Sequence, residues 1–261
     1  MRAVIAAVLS LFGVTMSQAE DVEGLIFERP PYKTAAEAIT AGDTATLRRL
    51  IAEGLDVNYE GRETETPWAK DTVTLLLWAI LKEQSRCIEM LVEAGADVNK
   101  GSRAGFTPLM MSLAKSDRMF DLILDRYRPD PNKLFAGRRS ALMQILGEFE
   151  MGDERFKQAE RLVAHGADID LDLDRGETAL IQSSKLEYWQ NVLWLLEHGA
   201  DYEKKGRDYS AVDWLQDSYE TGALKPSALY DYRNKVRDWL LARGVDRSRI
   251  DPRPKWQRGG N

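Results

Sequence analysis

The 261-residue sequence contains one cysteine and two histidines. A single cysteine excludes an intramolecular disulfide, so buried apolar surface must hold the fold together. Cys87 falls at an apolar helical position and reads as a buried thiol rather than a reactive one. His165 and His198 each stand one residue before a glycine, where a basic side chain complements a helix C-terminus. No second Cys or His lies at ligand spacing, so a zinc site and a nucleophilic triad both lack material. Gly-x-Ser-x-Gly, His-Glu-x-x-His and phosphate-binding glycine loops are absent. No catalytic residue, metal or cofactor is therefore expected. After Val14 no long apolar run occurs. Positive charge is also in deficit, with 36 basic against 42 acidic side chains and a net charge of −6. That balance disfavours nonspecific nucleic-acid binding, which needs positive surface.

The chain start has its own pattern. Met1-Arg2 precedes a short apolar run from Ala3 to Val14, and Ser17-Gln18-Ala19 supplies small residues for cleavage. This reads as a signal peptide over 1–19, too short to span a bilayer, with a mature chain from about Glu20. Residues 20–30 read as a loose acidic lead, and 251–261 as a flexible tail. Loss of Arg2 with the leader takes the net charge to about −7 from −6.

What dominates the rest is recurrence. Gly95-Ala96-Asp97-Val98-Asn99 has counterparts in Gly54-Leu55-Asp56-Val57-Asn58, Gly166-Ala167-Asp168-Ile169-Asp170 and Gly199-Ala200-Asp201-Tyr202-Glu203, with degraded versions at Arg128–Asn132 and Gly244–Asp246. Thr74 to Asp97, Thr107 to Asp130 and Thr178 to Asp201 are each 23 positions, and 10 more lead from Asp97 to Thr107, giving a period of 33. Each unit reads as two short helices closed by a residue with left-handed backbone, usually glycine. Thr107-Pro108-Leu109-Met110 resembles the Thr-Pro-Leu-His opening of an ankyrin repeat, and the Gly-Ala-Asp-Val-Asn close resembles its end. The resemblance covers about residues 31–250. It implies an all-α ankyrin-repeat solenoid of about six helix-turn-helix units joined by β-hairpin-like loops. The usual His of the opening is replaced by Leu77, Met110, Met143, Ile181 and Asp213.

Departures from the period mark insertions. The first repeat, about 33–58, is read to open with a capping box at Thr34-Ala35-Ala36-Glu37. Asp56 to Thr74 spans 18 positions, about eight too many, and the surplus includes Trp68, which either packs on the flank of the array or anchors a partner. Repeat four carries an enlarged acidic turn over 147–154, and the last unit is lengthened around Gly222 to Tyr232. The run Asp168 to Asp174 resembles the start of a calcium loop, but Arg175 stands where glycine is needed and Ile181 where the closing Glu is needed. It reads instead as a β-hairpin whose side chains alternate.

In arrays of the kind this chain resembles, hairpin tips and inner helices grip partners. By alignment to the repeat, Arg103, Phe106, Leu134, Arg139, Asp172, Asp174, Arg175, Glu177, Arg207 and Tyr209 fall on that face, with Trp68 in the insertion. Aromatic and Arg side chains there suit a protein interface. The expectation is a monomeric, exported, non-enzymatic module, periplasmic or else secreted, acting on another protein as an adaptor or inhibitor. Its sharpest version is an immunity protein against an envelope-targeted toxin, because an acidic binder suits a basic enzyme. The alternatives are a protective factor for an envelope enzyme such as a catalase, or a hydrolase using the carboxylates near 148–154 or 168–174.

Overall fold

A computed structural model describes residues 26–61, 64–65, 70–103, 105–134, 139–146, 153–173, 175–221 and 228–253. The leader 1–19, Trp68, Asp174, the long turn at 147–152 and the tail from 254 lie outside the described residues. The chain divides into two compact units, Met1–Gly137 and Arg138–Asn261.

In the first unit, α1 (Pro30–Ala41) and α2 (Thr44–Ala52) form one repeat, α3 (Leu75–Leu81) and α4 (Ser85–Glu93) the next, and α5 (Pro108–Lys115) and α6 (Asp117–Asp121) the third. The chain continues from α6 as a π-helical stretch, Leu122–Tyr127, that ends on Arg128 in left-handed backbone. Helix α1 packs on α3 and α3 on α5, so the first helices of successive repeats form one row, with α2 against α4 behind. A short hairpin, β1 (Thr64–Glu65) and β2 (Lys70–Asp71), precedes α3.

In the second unit, α7 (Ala141–Leu146) pairs with α8 (Asp153–Ala164), α9 (Ala179–Lys185) with α10 (Trp189–Glu197), and α11 (Ala211–Thr221) precedes α12 (Ala228–Ala242). The row α7, α9, α11 repeats the inner arrangement, and α10 packs on α12. The hairpin β3 (Lys205–Gly206) with β4 (Tyr209–Ser210) leads into α11, in register Lys205↔Ser210 and Gly206↔Tyr209.

Each opening is a side-chain cap. The hydroxyls of Thr74, Thr107, Ser140 and Thr178 accept the N–H three residues on, at Leu77, Met110, Met143 and Ile181. The residues that replace the usual His therefore keep the cap and fill core, since Leu77, Met110, Met143 and Ile181 are all buried. In the last unit Asp213 reciprocates, accepting both the N–H and the hydroxyl of Ser210 at 2.7 Å, as a capping box does.

The repeats are stitched by the closing motif. Asn58 accepts the N–H of Asp97 at 2.8 Å and donates to the carbonyl of Gly95 at 2.9 Å, while Asn99 accepts the N–H of Asp130 at 2.7 Å. Lys100 reinforces the first joint by donating to the Asn58 carbonyl and pairing with Glu60 at 3.0 Å. Asn58→Ala is expected to lower stability by about 1–2 kcal/mol, two partly hydrated hydrogen bonds. A urea titration with a change under about 0.5 kcal/mol would show that the joint carries no energy.

Four expectations are corrected here. Helix α1 starts at Pro30 with Arg29 as its cap, so Thr34 and Glu37 lie inside the helix and form no capping box. Proline at the first helical position has no N–H to leave unpaired, which favours that earlier start. The acidic lead is not loose at its end: Ile26 and Phe27 are fully buried, Phe27 meets Trp78 edge-on at 6.1 Å, and a Cβ on Gly61 would lie 2.7 Å from the Ile26 side chain. The first residues of the tail are held, since the Arg253 guanidinium and N–H bind the Glu220 carboxylate, and from 254 on it lies outside the described residues. The run 168–173 forms no strand. It is a chain of turns in which Asp168 accepts the N–H of Asp170, and Leu173 points into the core.

Candidate protein-interaction surface

In the first unit, Arg103 is exposed, with its N–H donated to the Thr72 hydroxyl at 3.1 Å. Phe106 is only half-buried, held by its N–H to the Ser102 hydroxyl and by its carbonyl from the Ser102 N–H. Leu134 is exposed. Arg103 and Phe106 lie in the loop before α5, and Leu134 lies in the exit after Asp130.

The second unit holds Arg139, half-buried before α7, and a tighter group. Asp172, Arg175, Arg207 and Tyr209 are exposed, and Glu177 is half-buried and paired with Lys185 at 3.8 Å. The loop carrying Arg175 and the β3–β4 turn touch directly: the N–H of Arg207 donates to the carbonyl of Arg175 at 3.0 Å. Gly176 permits the contact, because it has φ +81° and an added Cβ would lie 2.1 Å from the Lys205 carbonyl oxygen. Tyr209 is 52% exposed, and its ring leans on Trp214 at 5.3 Å. Lys205 and Trp214 belong to this group and were missed by the alignment. A short run ending in Lys205-Gly206 before two turn residues was their only sequence signal.

The acidic run commits its carboxylates to backbone. Asp168 holds the N–H of Asp170, Asp170 that of Asp201, and Asp172 that of Gly176. Carboxylates used in this way hold turns. Among the described residues no group of three or more His, Cys, Asp or Glu side chains could hold a metal ion. His198 closes α10: its Nδ1 lies 2.7 Å from the Trp194 carbonyl and its ring stacks on Trp194. Cys87 is buried in the core, and burial raises its thiol pKa.

Asp170 occupies the place that Asn58 and Asn99 hold earlier, but without the amide donor. Burial raises its carboxyl above the ordinary carboxylate value, despite the Asp201 N–H at 3.1 Å and nearby Lys204. The folded state thus binds this proton more tightly than the unfolded chain. That makes stability fall as pH rises from the unfolded-state value through the folded one. Asp170→Asn keeps the acceptor, removes the charge and restores a donor for the Gly199 carbonyl, the counterpart of Gly95. It is expected to raise the melting midpoint at neutral pH by about 2–4 °C, as ~1 kcal/mol does in a domain of this size, and to flatten the acid-side pH dependence. A lower midpoint at pH 7 would contradict this.

No protein-family model matches the chain. Over 95 residues it is 30% identical to the putative ankyrin repeat protein YahD of Escherichia coli, covering 36% of this chain and 43% of that one. Over 226 residues it is 27% identical to ankyrin repeat and SOCS box protein 6 of Homo sapiens, covering 75% of this chain and 51% of that one. The matches thus span about half or less of these curated relatives. Among solved structures, the ankyrin repeat domain of Bcl-3 superposes with a TM-score of 0.60 at 20% identity, covering 82% of this chain and 87% of that one. The human ASB11 ankyrin repeat domain gives 0.51 at 20%, covering 81% and 84%. Among the described residues no helix is long and apolar enough to cross a membrane. Repeat geometry and the solved structures agree on the fold, which is that of an all-α ankyrin-repeat solenoid.

Proposed function

We propose that this chain is an exported, non-enzymatic protein-binding module of the periplasm that acts as an adaptor or inhibitor, and in its sharpest form as an immunity protein against an envelope-targeted toxin. The observation that carries the binding reading is the set of Arg and Tyr side chains displayed on rigid loop tips: Arg103 in the first unit, and Arg175, Arg207 and Tyr209 in the second. Such residues supply most of the energy of protein interfaces. Loops fixed by caps and inter-repeat hydrogen bonds present them with little ordering cost. Export rests on the charged, apolar and small-residue pattern of 1–19.

Affinity capture tests the reading. Protein starting at Glu20 is incubated with envelope extract beside a variant with Arg103, Phe106, Arg139 and Tyr209 changed to Ala. A single stoichiometric partner, lost in the variant, is expected. An immunity role further requires that the partner be an enzyme that loses activity when bound. Absence of any partner would overturn the module reading, and a partner retained by the variant would move the site elsewhere.

A further inference from the structure

We propose that Ile26 and Phe27 form a plug on the solvent-facing side of the inner helices, and that a partner segment carrying an aliphatic residue followed by an aromatic one displaces it to bind at Trp78. This rests on the binding-module reading and names the chemistry of what is bound.

The first ground is a comparison of repeats. The fourth residue after the capping Thr or Ser is half-exposed in α5, α7, α9 and α11, at Met111, Gln144, Gln182 and Trp214. The seventh is exposed at Ala114 and Lys185 and half-exposed at Asp217. Residues three apart on a helix share a face, and this is the face these helices turn to solvent. In α3 the same two positions hold Trp78 and Leu81, which are only 4% and 8% exposed. The face that is open in the other units is shut here. Phe27, itself fully buried, lies edge-on to Trp78 at 6.1 Å.

The second ground is the shape of the seat. The φ of Gly61 lies outside the left-handed region, so its own backbone does not call for glycine. The plug does. A Cβ at Gly61 would lie 2.7 Å from the Ile26 side chain, 2.8 Å from the Ile26 carbonyl oxygen and 3.1 Å from the Phe27 ring. Glycine marks a place where another stretch of chain comes close.

The third ground is that the plug is separable. Helix α1 starts from Arg29 and Pro30, the Thr74 hydroxyl caps α3, and the Trp78 indole N–H donates to the Thr40 hydroxyl at 3.1 Å. None of these bonds uses residue 26 or 27. The plug joins the array through Glu28 and Arg29, both exposed. The array therefore keeps its packing when the plug leaves, and the replacement must bring the same two side chains to the same seat. A seat that is mostly covered binds more weakly in proportion to the fraction of time it is open.

The Trp78 indole N–H reports on the seat, and its NMR signal is assigned by its loss in Trp78→Phe. In the wild-type chain it is expected to exchange at least about tenfold faster than the α3 backbone amides, because the plug opens without the helix. Gly61→Ala should accelerate it by a further tenfold or so and leave those amides protected. The binding probe is a peptide of residues 24–29, with a control peptide in which Ser replaces Ile26 and Phe27. The probe should barely shift the indole signal of the wild type. In the full chain carrying Ile26→Ser and Phe27→Ser it should give a saturable shift, with affinity at least about tenfold greater. Adding Gly61→Ala to that chain should abolish the shift. Indole exchange no faster than that of the α3 amides, or unchanged by Gly61→Ala, would overturn the proposal without the double variant. Equal probe affinity for the wild type and the double variant would also overturn it, as would exchange that slows with protein concentration and so makes a second copy the source of the plug. The two readings separate in the envelope capture. A partner held equally by the wild type and the double variant overturns the plug alone, whereas no partner for either overturns the module reading beneath it.

Discussion

Trp189→Ala is expected to lower the unfolding free energy by about 3–5 kcal/mol, a large share of the ~5–15 kcal/mol that a domain of this kind has. Trp189 is the first residue of α10 and the largest fully buried side chain among the described residues. It is buried at the start of a helix that packs on both α9 and α12, so its removal is expected to leave a void. Its indole N–H is buried and has no acceptor among the described residues. That orphan sets the contrast with Trp189→Phe, which loses some contact but also removes an unsatisfied donor that costs about 1–3 kcal/mol. The Phe variant is therefore expected to lose less than about 2 kcal/mol. Seven tryptophans blur fluorescence, so urea melts followed by circular dichroism are the measurement. An Ala cost below about 1.5 kcal/mol would mean that the site repacks and the argument from burial fails.

The second large effect is expected at Gly176. A Cβ there would lie 2.1 Å from the Lys205 carbonyl oxygen and 3.1 Å from its carbon, and the atoms it meets are backbone. No rotamer change relieves such a clash. Gly176→Ala must push the two tips apart and break the Arg207 N–H to Arg175 bond. Left-handed strain adds about 1–2 kcal/mol, and the lost hydrogen bond about 1 kcal/mol. The total of about 2–3 kcal/mol should fall locally. Amide exchange at Arg207 should accelerate by at least about tenfold, while α8 and α10 keep their protection. Unchanged exchange at Arg207 would show that the tips are not coupled.

These effects sit unevenly with respect to what the sequence discloses. The caps at Thr74, Thr107, Ser140, Thr178 and Ser210 reach only three residues, so they recur with the period that the sequence shows, although the one cap read from the sequence, at Thr34, was misplaced. The closing turns are equally local: Asp56, Asp97, Asp130, Asp168 and Asp201 each hold the N–H two residues on. The period, the units and the buried place of Cys87 follow from that local grammar. At both chain ends it failed because a distant residue had taken over. Ile26 and Phe27 are drawn into the core by Trp78 and Gly61, which lie far along the chain. Arg253 is fixed by Glu220, 33 residues away.

The candidate surface divides along the same line. The sequence alone determined that tips exist at Arg103, Arg175, Arg207 and Tyr209, because a repeat of fixed length puts its loops at fixed positions. Tertiary structure decided the rest. It set Phe106 half into the protein, committed Asp168, Asp170 and Asp172 to backbone N–H groups, and brought Lys205 against the loop of Arg175 and Gly176 across some thirty residues of chain. The physical reason is range: hydrogen-bonded caps and turns are settled within a few residues of backbone. Which charges end up paired, and which face water together, depends on how one repeat stacks on the next.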